Sequence, residues 1–167
     1  MSQLFFRETQ RFNQPWIWAL NLIMVGIFAY LIVSQLILHR PVGTHPAPDY
    51  LLFLFALIPI GLILLFYFIR LEVEIRRDGI YFRFPPFIPK TRLYRWEDIK
   101  QCYLRKYNPI MEYGGWGYRV GGKKSGIAFN VSGNMGVQIE LKNGKKILLG
   151  TRKPKEAEEA LKKAGIL

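Results

Sequence analysis

The chain has 167 residues, half of them hydrophobic, with a net charge of +12 and one cysteine. After two membrane-length segments this leaves room for one compact domain of roughly 100 residues. The single cysteine, Cys102, excludes an intrachain disulfide and any metal site built on several thiolates. Residues 70–167 hold 21 Lys or Arg against 10 Asp or Glu, so almost all of the charge belongs to the C-terminal part. That balance reads first as a positive-inside bias spread over a small domain. It reads second as attraction to anionic headgroups, worth about 1 kcal/mol per basic residue near a surface. Nucleic acid is the least favoured partner, because the cations are scattered along strands and no nucleic-acid module is recognisable.

Residues 1–15 form a polar N-terminal segment carrying Arg7 and Arg11. Two uncharged apolar runs follow, Trp16–Leu38 and Tyr50–Ile69. A bilayer core takes about 20 apolar residues as helix, and in lipid the backbone must satisfy its own hydrogen bonds. Residues 16–69 are therefore expected to form a transmembrane helical hairpin, with helices at 16–38 and 50–69 and an outer loop at 39–49. The first run is too long for a signal-peptide core, and His39-Arg40-Pro41 after it offers no small-residue cleavage site. Arg7 and Arg11 precede the hairpin and Arg70, Arg76 and Arg77 follow it, whereas the loop holds only Arg40 against Asp49. The asymmetry places both termini in the cytoplasm, with Trp16, Trp18 and Tyr50 at the interfaces. Asn21, Ser34 and Gln35 are the polar exceptions; Gln35 is expected to meet headgroups or water, and Asn21 either these or a partner helix. Gly26, Pro59 and Gly61 would permit close packing or a kink. The runs contain no ionisable Asp, Glu, Lys or Arg, which argues against an ion or proton path.

From Leu71 the period becomes two: Leu71, Val73 and Ile75 alternate with Glu72, Glu74 and Arg76. Asp78-Gly79 suits a two-residue hairpin turn, pairing Ile75 with Phe82, Val73 with Phe84 and Glu74 with Arg83. Pro85-Pro86 and Pro89 end the second strand. Further strands are expected at Arg92–Tyr94, Ile99–Tyr107, Trp116–Val120, Ile127–Val131, Val137–Leu141 and Lys146–Leu149. The turn at Asn143-Gly144 is ambiguous: a two-residue loop pairs Ile139 with Leu148, a three-residue loop pairs it with Ile147. Pro154 opens a final helix with Ala157, Ala160, Leu161 and Ala164 on one face, Lys162 and Lys163 in its last turn and Gly165 after it. That narrow stripe should lie on the β-core as a lid.

The densest unusual segment is Gly114-Gly115-Trp116-Gly117-Tyr118-Arg119, continued by Val120-Gly121-Gly122. Glycines let another surface approach closely, and Trp and Arg dominate binding hot spots, so this segment is the candidate partner-binding site. The competing expectation is a bulged strand with Trp116 in the core. It is no phosphate-cradling loop, because it lacks a Gly-Lys-Ser/Thr ending and opens a strand. Arg70, Arg76, Arg77, Lys123, Lys124, Arg152 and Lys153, with Lys155, are the candidate lipid-headgroup residues; a solvated face is the plainer alternative. Trp96-Glu97-Asp98-Ile99 reads as a turn with Asp98 capping and Trp96 filling the core. Cys102 reads as a small core residue. His39 and His45 read as solvated, and no metal site is expected. Both histidines fall in the outer loop, so no Ser–His or Cys–His pair forms on the cytoplasmic side. No catalytic residues and no cofactor are expected.

The chain resembles a family of small, largely uncharacterised bacterial inner-membrane proteins with two helices and a bacterial pleckstrin-homology-like domain. The resemblance rests on Phe6-Arg7-Glu8-Thr9-Gln10, Trp96-Glu97-Asp98-Ile99, Tyr113–Arg119, Ser132-Gly133, Gly136-Val137 and Gly150-Thr151, and covers nearly the whole chain. It implies that residues 70–167 form a mainly-β domain of about seven antiparallel strands, a partly open barrel closed by a C-terminal α-helix. It carries little toward phosphoinositide binding, since the first hairpin loop here is only Asp78-Gly79. Together these readings give a non-enzymatic integral membrane protein, an accessory or scaffolding subunit docking onto a partner membrane protein or a second copy of itself. The alternative is an anionic-lipid-binding sensor at the membrane surface.

Overall fold

A computed structural model describes residues 2–40, 42–122 and 125–166. The described residues fall into two units: one holds the N-terminal strand and everything from Ile69 onward, the other the segment Phe12–Phe68.

The smaller unit consists of α1 (Pro15–Ile32), continued by a π-helical turn at Val33–Ile37, and α2 (Asp49–Phe68). Pro15 suits the first turn of α1, because its missing N–H would have no intrahelical partner there. Both helices are long and apolar enough to cross a membrane. They pack against each other, with Ile17, Asn21 and Ser34 buried on one and Leu52 and Pro59 on the other. The Asn21 amide donates to the Ile17 carbonyl, 2.9 Å away. Gln35 departs from expectation: its amide donates to the Ala47 carbonyl and to Asp49 Oδ1, joining the end of α1 to the loop and the start of α2. Gly26 and Gly61 are not sites of close approach here, since a Cβ at either would meet nothing within 4 Å.

The larger unit contains two sheets. The first is an antiparallel meander of β1 (Leu4–Arg11), β2 (Arg70–Arg76), β3 (Gly79–Phe84) and β4 (Ile88–Arg95). Strand β1 is the main addition to the sequence reading, which assigned no element to the N-terminal segment. It pairs with β2 from Leu4↔Arg76 to Arg11↔Arg70. In chain order, α1 and α2 are therefore an insertion between two paired strands. The expected alternation holds: Leu71, Val73 and Ile75 are buried and their neighbours half-exposed. The β2–β3 register is shifted by two from expectation, pairing Ile75 with Ile80, Val73 with Phe82 and Glu72 with Arg83 around an Arg77-Asp78 turn. An even shift leaves each side chain on its own face, so the hydrophobic pattern fixes the faces but not the partners. Two contacts lie at this turn. Trp96 Nε1 donates to the carbonyls of Arg76 and Arg77, and a Cβ at Gly79 would collide with the Tyr94 carbonyl oxygen. Pro89 lies within β4, which is tolerated because β4 is an edge strand.

The second sheet has the order β5-β8-β9-β7-β6. Its strands are β5 (Ile99–Lys106), β6 (Gly117–Val120), β7 (Ile127–Asn130), β8 (Met135–Leu141) and β9 (Lys146–Gly150). Neighbours are antiparallel except β7 and β9, which run parallel. Among the described residues nine strands form two sheets, eight of them within residues 70–167 against about seven expected; the sheets do not close into a barrel, and one pair is parallel where all were expected antiparallel. The β8–β9 loop has three residues: Gly144 takes a left-handed φ of 81° and Ile139 pairs with Ile147. A short helix α3 (Pro109–Tyr113), capped by the Asn108 side chain, stands where sequence placed no element. Trp96–Asp98 is one 3₁₀ turn, but Trp96 is only half-buried and Asp98 makes no capping bond.

Helix α4 (Pro154–Lys163) contacts β1 and β2 of the first sheet and β5 and β8 of the second, burying Ala157, Ala160 and Leu161. Strands β8 and β9, interior to the second sheet, bury nearly every residue. A clasp of polar groups fixes β1 to the turn before α4. The Thr151 hydroxyl donates to Glu8 at 2.6 Å, the Arg152 backbone N–H donates to the other Glu8 oxygen, and Gln10 donates to the Gly150 carbonyl.

Candidate functional site

The glycine-rich segment follows α3 and is held from several sides. Gly114 closes the helix in a left-handed conformation, φ 72°, a position that tolerates few other residues. Asn130 is fully buried; its side-chain oxygen accepts from the Gly117 N–H at 2.8 Å, and its amide donates to the Tyr107 hydroxyl at 3.0 Å. The Tyr113 hydroxyl donates to the Ser125 carbonyl and accepts from Arg105, whose guanidinium also pairs with Glu112 at 2.8 Å. The Arg105 hydrogen bond holds the Glu112 carboxyl below the usual carboxylate range, whereas burial raises the Tyr107 and Tyr113 hydroxyls. This polar network beneath an exposed segment is the arrangement that presents side chains on a rigid support.

On that support Trp116 is neither in the core nor free. It is half-buried, its indole N–H donates to the Gly133 carbonyl at 3.0 Å, and its own carbonyl accepts from Arg119 Nε. Gly115 and Gly117 lie against the Arg119 guanidinium. Tyr118 stacks on Phe129, with ring centroids 5.2 Å apart and planes within 4°. Of the six candidate residues, Gly114, Tyr118 and Arg119 are exposed and Gly115, Trp116 and Gly117 half-buried, and the segment ends on β6, an edge strand. Among the described residues of the larger unit the exposed large apolar residues are Leu4, Phe87, Ile110, Met111, Tyr118 and Val120. Four of these six lie between residues 110 and 120, and Phe87 contacts Tyr118.

The candidate headgroup residues are dispersed. Arg70 pairs with Glu72 and Arg76 with Glu74 on the outer face of the first sheet. Arg152 is bound to Ser132 and the Arg11 carbonyl, and Lys153 to Glu156. Arg77 is exposed and has no ion pair among the described residues. Lys123 and Lys124 lie outside the described residues. Cys102 is buried in β5, and burial pushes its thiol up to about 12. Among the described residues no group of three or more His, Cys, Asp or Glu side chains could hold a metal ion.

Sequence reasoning missed a cleft of about 580 Å³ between the two sheets. Its floor is Phe129 and Ile147, and its mouth carries Phe87, Tyr118 and Val120. Arg92, Lys145 and Lys146 line it as well. Of these cations only Lys146 has a carboxylate partner among the described residues, Glu140 at 3.1 Å. Burial raises the Tyr94 hydroxyl in the same wall, opposed by the charge of Arg92. The available signal was the repeated aromatic spacing at Phe82, Phe84 and Phe87, but those rings meet Phe129 only through sheet-to-sheet packing.

These features define a protein in which two apolar helices are inserted into a mainly-β unit closed by a C-terminal helix. The chain belongs to a family of unknown function, DUF6141, whose model matches residues 1–166. No curated protein and no solved structure matches it.

Proposed function

We propose that this is a non-enzymatic integral membrane protein whose β-unit, a pleckstrin-homology-like domain, docks onto a partner membrane protein as an accessory or scaffolding subunit. The observation that carries the reading is the concentration of exposed apolar side chains on a rigidly supported segment. Ile110 and Met111 on α3 and Tyr118 and Val120 on the edge strand β6 are four of the six exposed large apolar residues described in this unit. Contiguous exposed apolar surface with such support is characteristic of interaction sites, and a sheet edge offers unpaired backbone groups to a second chain. The antiparallel meander, the second sheet and the C-terminal helix laid over both support the pleckstrin-homology-like assignment.

The strand order supports the membrane topology. Arg11 and Arg70 are cross-strand partners, so the chain leaves and re-enters one folded unit. The residues on either side of α1 and α2 then share one face of the membrane, and the two helices cross it as a pair. The basic flanks favour the cytoplasm for that face. In a bacterium this is the inner membrane, with both termini cytoplasmic.

The second reading, a sensor of anionic headgroups, rests on the charge of +11 in residues 70–167 and on exposed Arg77. It ranks lower because Arg70, Arg76 and Lys153 already have carboxylate partners.

A photo-crosslinking amino acid placed at Tyr118 or Val120 in the membrane-embedded protein tests the docking surface. The expected result is one dominant adduct of constant mass, at least fivefold weaker in Trp116→Ala or Arg119→Ala. Association unchanged in both variants would remove the segment from the interface.

A further inference from the structure

The cleft between the sheets shares Tyr118 and Val120 at its mouth with the docking surface, but its floor and its cationic rim have no part in that reading. Its volume lies within the range of about 300–1,000 Å³ found for small-molecule sites. It combines an aromatic floor with a cationic rim, and two of its rim cations, Arg92 and Lys145, have no carboxylate partner among the described residues. Phe87, 52% exposed, and Val120, 71% exposed, leave the mouth apolar and open. Glycines keep the space clear: a Cβ at Gly122 or Gly144 would meet nothing within 4 Å, although both residues line the cleft.

We infer that this cleft binds a single-chain acidic amphiphile, with the apolar chain against Phe129, Tyr118 and Phe87 and the acidic head at Arg92 and Lys145. The charge pattern selects the head: an exposed guanidinium and ammonium beside an apolar wall favour a carboxylate or phosphate over a neutral group. The volume suits one acyl chain and not a diacyl lipid. The source is a monoacyl acid released from bilayer lipid, a fatty acid or a lysophosphatidate. Binding is distinct from attraction of the whole domain to a charged surface, because it needs the chain as well as the head.

The test uses the full chain in nanodiscs of zwitterionic phosphatidylcholine, which avoids detergents that would themselves enter the cleft. A diazirine-bearing palmitate is photoactivated and the labelled peptides are mapped. Labels are expected on the peptides holding Phe87 and Tyr118–Val120, and the matching fatty alcohol should label them at least fivefold less. Gly122→Phe, which fills the mouth, and the double variant Arg92→Gln/Lys145→Gln should each lower cleft labelling by at least fivefold; the double variant serves if Gly122→Phe does not fold. Competition by unlabelled palmitate or by lysophosphatidate supports the site and assigns the head group. Competition by neither, equal labelling by acid and alcohol, undiminished labelling in a folded Gly122→Phe protein, or label confined to residues 15–68 would overturn it.

Discussion

The two sheets of the β-unit are built by different means. The first is a regular meander whose inner face is Leu71, Val73, Ile75, Ile80, Phe82 and Phe84, all nearly inaccessible, and whose outer face is a lattice of ion pairs. Glu72 pairs with Arg70 and Arg83, and Glu74 with Arg7 and Arg76. The second sheet buries polar groups: Asn130 and Gln138 are inaccessible, and their amides organise the segment beside them. Surface ion pairs each contribute about 0–1 kcal/mol, whereas a buried donor or acceptor stripped of its partner costs about 1–3 kcal/mol. The first sheet should therefore tolerate loss of the ion pairs on its outer face, and the second should not tolerate loss of its buried amides; within the first sheet only β1, whose Glu8 and Gln10 are buried in the clasp, shares that sensitivity. The candidate sites depend on the intolerant one.

Phe129 joins the sheets, meeting Phe82 at 4.9 Å and Phe84 at 5.7 Å, and also supports Tyr118. Phe129→Ala should cost about 3–5 kcal/mol. Cys102 provides the readout: its buried thiol, raised to about 12, stays protonated and unreactive at pH 8 in the folded unit and alkylates only on opening. Denaturant-dependent alkylation should shift to markedly lower denaturant in the variant. An unshifted profile would mean that the sheets are not coupled through this ring.

Asn130→Ala comes next, at about 1–3 kcal/mol by the same assay, because it orphans the Gly117 N–H and the Tyr107 hydroxyl. It should also raise proteolysis within residues 114–122, an effect absent from a first-sheet variant of equal cost. Acid should act on the second sheet through Glu112. Its folded carboxyl titrates below the usual range, so its contribution is fully present above pH 4.5 and is lost as pH falls through its folded value. Glu112→Gln should flatten that part of the stability profile. The smallest effect belongs to the first sheet: Glu72→Gln should cost less than about 1 kcal/mol, and the difference from wild type should shrink at high salt.

The contrast also sets what could be read in the sequence. The period of two at Leu71–Arg76 reports burial directly, so β2 and its inner face follow from it. The register did not follow, because a shift by two residues keeps every side chain on its own face and leaves the pattern unchanged. Strand β1 was hidden for another reason. Phe6-Arg7-Glu8-Thr9-Gln10 lacks an apolar alternation, since Glu8 and Gln10 point inward to the clasp with Thr151 and Gly150. The glycine-rich segment stood out by composition. Its support did not stand out, since a single Asn in Ile127–Val131 looks like a flaw in a strand until its two partners are known. The cleft was illegible, being made where two sheets fail to close.

The central claim is that the β-unit docks onto a partner in the membrane. The most direct test is the mass and subunit composition of the full-length protein extracted from its native membrane in mild detergent. The expected result is a particle well above 19.5 kDa containing a companion in fixed stoichiometry, which dissociates when Trp116 and Arg119 are both replaced by alanine. A lone monomer, or a particle of unchanged composition in that double variant, would contradict it.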